Sequence, residues 1–182
     1  MTPREQIDAL LDGHPPVDAR EAASITRIRG ELARLDAPFD QLADLVHVTG
    51  SAIVVGPRGV VLLVHRKLGF WMQPGGHLEP GEDPATAAAR EAHEETGLVV
   101  AHPASGPCFV HADVHDAAES HVHLDLRFLV HAAAADDPRP PPEESQQVRW
   151  FGWDEAVSMA DDSLRGALQA ARAVVASTGG DA

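Results

Sequence analysis

The chain has 182 residues, of which 44% are hydrophobic and 23% charged, a composition typical of one globular domain with a substantial core and an extension. Its 28 acidic and 14 basic residues give a formal net charge of −14, which argues against a protein that binds nucleic acid, because such proteins present a basic surface. A single cysteine, Cys108, excludes an internal disulfide framework, and no apolar stretch forms a signal core or reaches the roughly 18 residues of a membrane span, so we expect a cytoplasmic protein without a membrane partner and with a small buried thiol.

Residues 3–45 are predicted to form a helical extension. Arg4–Leu11 is a short amphipathic segment that ends before Pro15 and Pro16, and Asp18 can cap a second, longer helix. Four apolar residues recur at helical spacing in this second segment: Ile25, Ile28, Leu32 and Leu35. The extension could cover the core of the domain or form the contact of a homodimer, and the sequence does not choose between these roles.

A change of periodicity at Val46 marks the start of a region rich in β-strands. Val48–Val55 and Val60–His65 are predicted to be strands, joined by a turn at Gly56–Gly59. Three basic or titratable residues lie at the end of the second strand: His65, Arg66 and Lys67. They could be exposed loop charges or phosphate ligands.

The most informative segment is a motif of fixed spacing: Gly76-His-Leu-Glu-Pro-Gly-Glu82, seven residues, then Arg90-Glu-Ala-His-Glu-Glu-Thr-Gly-Leu98. The second half of the motif lies on a predicted helix, Pro84–Thr96, which is rich in strong helix formers. Asp83 is a suitable N-cap, Pro84 fits the first helical position, and Gly97 is a typical C-terminal stop.

Three glutamates of this helix have an unusual spacing. Glu91, Glu94 and Glu95 stand at positions i, i+3 and i+4, so their carboxylates share one face and repel one another. A divalent cation removes that repulsion, since hard ions such as Mg²⁺ prefer carboxylate oxygens. A solvated acidic face is the alternative interpretation of an isolated triplet.

The whole motif resembles the Nudix box, G-x5-E-x7-R-E-U-x-E-E-x-G-U, where U is an aliphatic residue. All seven fixed positions match, and Ala92 and Leu98 occupy the two aliphatic positions. A chance match in a chain of this length has a probability on the order of one in a million. The resemblance implies an α/β fold: an α/β/α sandwich with a mixed β-sheet over residues 46–160, preceded by the helical extension at 1–45 and followed by a C-terminal helix and tail at 161–182, together one compact domain.

The resemblance also implies a metal site for Mg²⁺, with Mn²⁺ as an alternative. It assigns these metal ligands: Gly76 through its carbonyl, Glu91, Glu94 and Glu95. Arg90 would orient the glutamates through ion pairs, and Glu82 and Gly97 would support the site. One carboxylate would activate water, directly or through the metal, and the resemblance does not identify which.

Downstream of the box, Phe109–His115 and His121–His131 alternate as two strands. Each has a polar face: His111, Asp113 and His115 on the first, and His121, His123, Asp125, Arg127 and His131 on the second. Three interpretations stay open. The faces could bind substrate, with Arg127 and either His123 or Asp125 holding a phosphate or a base edge. They could be a hydrated outer surface, or a histidine-rich zinc site that no tight ligand spacing supports.

Two further site residues come from loops. Trp71, just before the box, could stack on a nucleotide base or fill the core. Asp136–Pro142 is a proline-rich, non-helical loop followed by Glu143 and Glu144. Many enzymes of the family bring another carboxylate to the metal from such a loop, so Glu144 or Glu143 is predicted to do so here, and solvent-exposed charge is the alternative. A strand at Val148–Gly152 and two helices, from Trp153 and over Leu164–Ala176, complete the prediction.

The resemblance implies a pyrophosphohydrolase that acts on acid anhydrides, with a small-molecule nucleotide as substrate. The chain contains no tyrosine, which weakens subfamilies specific for dinucleoside polyphosphates, and Asp113–His115 occupies the place where ADP-ribose hydrolases often have a proline. These absences favour a nucleoside triphosphate over a nucleoside diphosphate sugar or ADP-ribose. The alternative of another class is a catalytically silent Nudix domain that senses a ligand.

Overall fold

In the computed structural model, residues 1–66, 69–132 and 136–178 are described, and they form a mixed β-sheet with helices on both of its faces. The strands are β1 (Val46–Gly56), β2 (Gly59–Val64), β3 (Trp71–Met72), β4 (Gly75–His77), β5 (Val100–Ala101), β6 (Cys108–Asp116), β7 (Val122–Ala132) and β8 (Val148–Phe151). The helices are α1 (Pro3–Leu11), α2 (Ala19–Leu32), α3 (Pro84–Thr96), α4 (Trp153–Met159) and α5 (Asp162–Ser177). The predicted sandwich with a mixed sheet and N-terminal helices is confirmed.

The centre of the sheet is a parallel pair, β1 and β7. Their register runs from Val46 opposite Val122 to Val55 opposite His131. All other pairings are antiparallel: β2 and β4 with β1, β3 and β8 with β2, and β5 and β6 with β7. Because β4 pairs with the first half of β1, the glycines at the start of the box motif lie next to the central strands.

Two apolar clusters lie on opposite faces of the sheet. On one face, the apolar side of β7 packs with α1, α2 and α3: Leu124, Leu126, Phe128 and Val130 are completely buried. On the other face, Ile53 and Leu62 pack with Leu164 and Leu168 of α5. Both faces of the central strands are therefore covered, which explains why nearly every residue of β1 is buried.

The N-terminal helices cover the core, one of the two roles left open for the extension, since Ile7 and Ile28 are fully buried. Helix α2 also covers the free edge of β6, where the Glu21 carboxylate and the Ser24 hydroxyl accept hydrogen bonds of 2.9 and 3.2 Å from backbone N–H groups of that strand. Residues 33–45, predicted as helical, form turns instead. Pro38 lies within this segment and opposes a continuous helix there, because proline disfavours the helical conformation at the preceding residue.

Three smaller features complete the description. Cys108, expected to be a small buried thiol, is half-buried at the start of β6. Lys67 lies outside the described residues, so its predicted position stays a prediction. Among the helices of the described ranges, none has the length and apolar character that a membrane span needs.

Candidate functional site

Helix α3 begins and ends where its sequence predicts. The Asp83 carboxylate accepts hydrogen bonds of 2.9 and 3.0 Å from the backbone N–H groups of residues 85 and 86, and Pro84 occupies the first turn. Gly97 ends the helix with φ of 68°, the left-handed region that favours glycine. A side chain at Gly97 would clash with the carbonyl oxygen of Arg139. The backbone N–H of Arg139 donates a 2.8 Å hydrogen bond to the Thr96 carbonyl. The proline-rich loop is therefore docked on the end of α3.

The guanidinium of Arg90 holds the two halves of the motif together. It donates hydrogen bonds of 2.9 and 3.0 Å to the two carboxylate oxygens of Glu82 and one of 2.8 Å to the His77 carbonyl. Its remaining nitrogen lies 2.9 Å from the Glu91 carboxylate and 3.0 Å from that of Glu94. The hydrogen bond from Arg90 lowers the pKa of Glu82, and the predicted ion pairs of Arg90 with the glutamates are present.

The helix glutamates differ in burial. Glu95 is half-buried and accepts a 2.9 Å hydrogen bond from the backbone N–H of Gly75. Burial raises its pKa to about 8, and the negative charges of Glu91, Glu144 and Glu94 add to the shift. Burial also raises the pKa of Glu91, whereas the side chain of Glu94 is 50% exposed. Several carboxylates thus share a site with one guanidinium, and hard oxygen donors so placed fit a divalent cation.

Gly76 lies directly against the Glu91 carboxylate. A Cβ atom at Gly76 would stand 2.5 Å from the nearest Glu91 oxygen, so only glycine lets the backbone carbonyl of this loop approach the carboxylates. Of the two loop glutamates, Glu144 lines the same cleft, while the Glu143 carbonyl accepts a hydrogen bond from the exposed side chain of Arg66. The geometry therefore favours Glu144 over Glu143 as the additional carboxylate.

These groups lie in a cleft with a volume of about 1160 Å³. Trp71 both lines the cleft and packs edge-on against Phe151, with ring centroids 4.8 Å apart, beneath the guanidinium of Arg149. Phe70 also lines the cleft and is 44% exposed, with its ring stacked on that of His65. The sequence interpretation missed Phe70, although its place directly before Trp71 is the signal that could have found it.

The polar faces of β6 and β7 form a buried ionic cluster. Arg127 is 4% exposed and donates to the carboxylate of Asp125 at 2.8 Å and to Ser163 of α5 at 2.9 and 3.0 Å. Its guanidinium also lies 3.4 Å from the Asp113 carboxylate. Burial alone would raise the pKa of Asp113, but the hydrogen bond from His115 and the charge of Arg127 outweigh it, so the pKa is lowered.

The hydrated-surface interpretation is therefore wrong for His111, Asp113, Asp125 and Arg127, which are buried, whereas His131 on the same strand is exposed. Every guanidinium nitrogen of Arg127 has a protein partner. Asp125, also buried, accepts hydrogen bonds of 3.0 and 2.7 Å from the hydroxyls of Thr49 and Ser51. The predicted contacts of Arg127, Asp125 and Trp71 with substrate stay predictions.

Histidine side chains gather at one end of the cleft. The rings of His47, His77 and His123 lie 5.0 to 5.2 Å apart between centroids. Burial, followed by the charges of neighbouring histidines, lowers the pKa of His123 to about 3. Sequence reasoning had singled out His123, the predicted substrate ligand, but neither His47 nor His77 as a member of a cluster, because the three come from three different strands.

Comparisons with known proteins agree with this geometry. A family profile described as NUDIX domain matches residues 46–172. A CMP-5'-(N-acetyl-N-hydroxy-3-aminopropyl)phosphonate hydrolase of Streptomyces rubellomurinus is 34% identical over 131 residues, covering 63% of this chain and 56% of that protein. An isopentenyl-diphosphate Delta-isomerase of Streptomyces griseus is 35% identical over 106 residues, covering 54% and 53%. The chain thus spans about half the length of these curated relatives.

Among solved structures, an Ap4A hydrolase of C. elegans, crystallised as a binary complex, superposes with a TM-score of 0.61 at 22% identity, covering 71% of this chain and 98% of that one. At this level of identity the likeness shows a shared fold.

Proposed function

The chain belongs to the NUDIX family, and on that premise we propose that it is a metal-dependent hydrolase that cleaves a diphosphate linkage in a nucleoside diphosphate derivative. The reaction is the hydrolysis of an acid anhydride, with Mg²⁺ as the expected ion and Mn²⁺ as an alternative. The chain spans only about half the length of its curated relatives, so the activities of those proteins are not assigned to it. The proposal depends on the chemistry of this site.

The observation that carries the proposal is the convergence of carboxylates in the cleft. Burial raises the pKa of both Glu91 and Glu95, and the negative charges of Glu94 and Glu144 add to both shifts. Glu144 approaches from the loop docked on α3. This arrangement does not stabilise the fold, since like charges in a poorly solvated site repel. A bound divalent cation supplies the missing countercharge, and it lets a site in a protein of net charge −14 accept an anionic phosphate substrate.

The roles of the residues follow from their positions. The carboxylates of Glu91, Glu94, Glu95 and Glu144, with the Gly76 carbonyl, would hold the ion. When bound, such an ion neutralises diphosphate charge and lowers the pKa of water.

Arg90 orients Glu91 and Glu94, and Glu82 fixes Arg90 from the other side. A carboxylate of this set would take the proton from the attacking water.

A nucleoside triphosphate is the favoured substrate, with a nucleoside diphosphate sugar or ADP-ribose as the alternative. A cleft of about 1160 Å³ accommodates a nucleotide with a further group attached. Phe70 and Trp71 provide aromatic surface at the same cleft, where a base could stack. The cleft volume and the aromatic surface suit any nucleotide substrate. The preference for triphosphates depends on two absences: the chain has no tyrosine, and Asp113–His115 stands where ADP-ribose hydrolases often have a proline.

A ligand-sensing domain without catalysis is the rival of another class. Family likeness alone does not fix the reaction, since one relative is an isomerase by name. The complete set of box glutamates favours hydrolysis, because a sensor has no need of buried carboxylates that repel one another. The compartment and a homodimer stay predictions.

A phosphate-release assay tests the proposal. The full chain would be incubated with Mg²⁺ and a panel of nucleoside triphosphates, nucleoside diphosphate sugars, ADP-ribose and dinucleoside polyphosphates, beside Glu94→Gln. We expect one class to be hydrolysed by the wild type and not by the variant. Absence of hydrolysis across the panel, with saturable nucleotide binding still measurable, would favour the sensing domain instead.

A further inference from the structure

Three histidines meet where the central strands cross the end of the cleft. His47 of β1 and His123 of β7 are direct partners in the parallel register. His77 of β4 pairs with Thr49, two residues along β1 from His47 and therefore on the same face. One ring nitrogen from each of the three histidines lies within 4.8 Å of the other two. The two strand pairings thus build one imidazole cluster from residues that are far apart in the chain.

Two nitrogens of this cluster lack hydrogen-bond partners. The Nε2 atoms of His47 and His77 are buried and have no partner within the described ranges. The other ring nitrogen of His47, Nδ1, lies 3.2 Å from the carbonyl oxygen of Asp44. A histidine whose Nδ1–H donates to a carbonyl presents the lone pair of Nε2, which is the usual arrangement of a metal-binding imidazole. A buried polar atom without a partner is rare in folded proteins, and a bound cation would explain both.

We propose that His47, His77 and His123 form a second metal site, separate from the carboxylate site, for a transition-metal ion of the Zn²⁺ class. Imidazole nitrogens suit Zn²⁺, Cu²⁺ and Ni²⁺ and are poor ligands for Mg²⁺, so the two sites take different ions. In tetrahedral Zn²⁺ sites the bond length of about 2.0–2.1 Å places ligand nitrogens roughly 3.3 Å apart. The three rings therefore need to approach one another by at most about 1.5 Å, which side-chain rotation supplies.

The fourth position of the ion opens toward the cleft. His77, His121 and His123 line the cleft, and the ring of His121 lies 5.1 Å from that of His47 between centroids. The fourth ligand is then His121 or a water that a phosphate oxygen of a bound ligand replaces. Three protein ligands with one open position are typical of a Zn²⁺ ion that contacts substrate, whereas four closed ligands are typical of a structural ion.

Direct metal binding tests this site without any assay of hydrolysis, so its outcome is independent of the proposed function. The full-length protein, freed of metal by a chelator, would be titrated with Zn²⁺ in competition with a chromogenic chelator. We expect one tight equivalent for the wild type. His47→Gln and His123→Gln should each weaken binding by about 100-fold or more, since even the outer partners of metal ligands are worth 10–100-fold.

Two controls locate the ion. His131→Gln changes an exposed histidine of the same strand and should bind Zn²⁺ as the wild type does, and so should Glu95→Gln, which alters the carboxylate site. Co²⁺ in place of Zn²⁺ should give the visible absorption of a tetrahedral site in the wild type and lose it in His123→Gln. Circular dichroism checks that each variant folds, and if His47→Gln does not, His77→Asn carries the same test.

The proposal is overturned if the wild type shows no tight Zn²⁺ equivalent or if the folded histidine variants retain it. Loss of Zn²⁺ binding in Glu95→Gln, with the histidine variants unaffected, would place the ion at the carboxylates and overturn it as well. Loss confined to the histidine variants supports the site, and a further loss in His121→Gln would identify the fourth ligand.

Discussion

The backbone N–H of Gly75 donates a 2.9 Å hydrogen bond to the carboxylate of Glu95. This bond joins strand β4 to helix α3 and positions Glu95 beside Glu91 at the cleft. The Glu95 carboxylate is poorly solvated there, and this burial raises its pKa to about 8. The same carboxylate thus connects two elements of the fold and stands among the proposed ligands of the cation.

Replacing Glu95 by glutamine separates these two roles. The amide oxygen of the substituted side chain can still accept the hydrogen bond from Gly75, so we expect Glu95→Gln to fold and to melt within a few degrees of the wild type. Its turnover should fall about 10²–10⁴-fold, since it can neither bind a cation as a carboxylate nor take a proton. Thermal melting and steady-state kinetics measure the two effects. Glu155→Gln, an exposed change in α4, is the matched control, and equal turnover in both variants would contradict a role for Glu95.

A second prediction concerns Arg127, whose guanidinium neutralises two buried aspartates. Arg127→Ala leaves Asp113 and Asp125 without their main countercharge, so we expect a loss of about 3–5 kcal/mol in the free energy of unfolding. Arg20→Ala removes an exposed partner of Asp113 and should cost at most about 1 kcal/mol. Urea unfolding measures both. If Arg127→Ala is as stable as the wild type and only its KM is raised, the guanidinium instead acts as a substrate contact.

The third prediction is a loss of stability in mild acid through His111. Burial, with the neighbouring charge of Arg127, lowers the pKa of His111 to about 4 from the usual 6.5. Between these values the unfolded chain binds a proton that the folded protein excludes, so this contribution to stability is full above pH 6.5 and is lost as the pH falls toward 4. The slope is at most about 1.4 kcal/mol per pH unit, or roughly 3 kcal/mol in total.

Urea unfolding at pH 7.5, 6 and 5, in the presence of a metal chelator, measures the slope. His111→Gln should show a shallower decrease than the wild type over this range. His131→Gln, which changes an exposed histidine, should decrease as the wild type does. An unchanged slope in His111→Gln would mean that His111 is protonated in the folded protein.

Local signals in the sequence predicted the parts of the structure that local interactions determine. The bounds of α3 followed from Asp83, Pro84 and Gly97, because capping depends on residues within one helical turn. The ion pairs of Arg90 followed in the same way, since Glu94 stands one turn away on the same helix. The strands β6 and β7 themselves were predicted from two alternating runs close together in the chain.

Features that depend on distant pairings were not predictable from one sequence. His47 meets His123 only because β1 and β7 are parallel with a fixed register, and no spacing along the chain encodes that register. The burial of Arg127 could not be predicted either, since an alternating strand has the same pattern whether water or α5 covers its polar face. The contact of Gly97 with Arg139 belongs to the same group, because it joins a helix end to a loop some 40 residues later.

That contact gives the last prediction, which compares two glycines with similar backbone conformations. Gly97 and Gly13 have φ of 68° and 78°, so alanine at either position has a left-handed strain of about 1–2 kcal/mol. Space around a new Cβ is open at Gly13, whereas at Gly97 the carbonyl oxygen of Arg139 already fills it. Gly97→Ala should therefore lose a further 1–3 kcal/mol or so of unfolding free energy, the usual cost of overpacking.

Comparing Gly97→Ala with Gly13→Ala also distinguishes the effect of backbone strain, which both share, from the effect of moving the docked loop, which only Gly97→Ala has. Displacement of Arg139 moves the segment that carries Glu144 away from Glu91 and Glu95, whereas Gly13→Ala leaves that segment in place. We expect Gly97→Ala to have weaker affinity for Mg²⁺ and lower turnover at a temperature where it is fully folded, and Gly13→Ala to match the wild type in both. Mg²⁺ titration by calorimetry and kinetics measure this. Equal metal affinity in the two variants would mean that Glu144 is not held at the site by this docking.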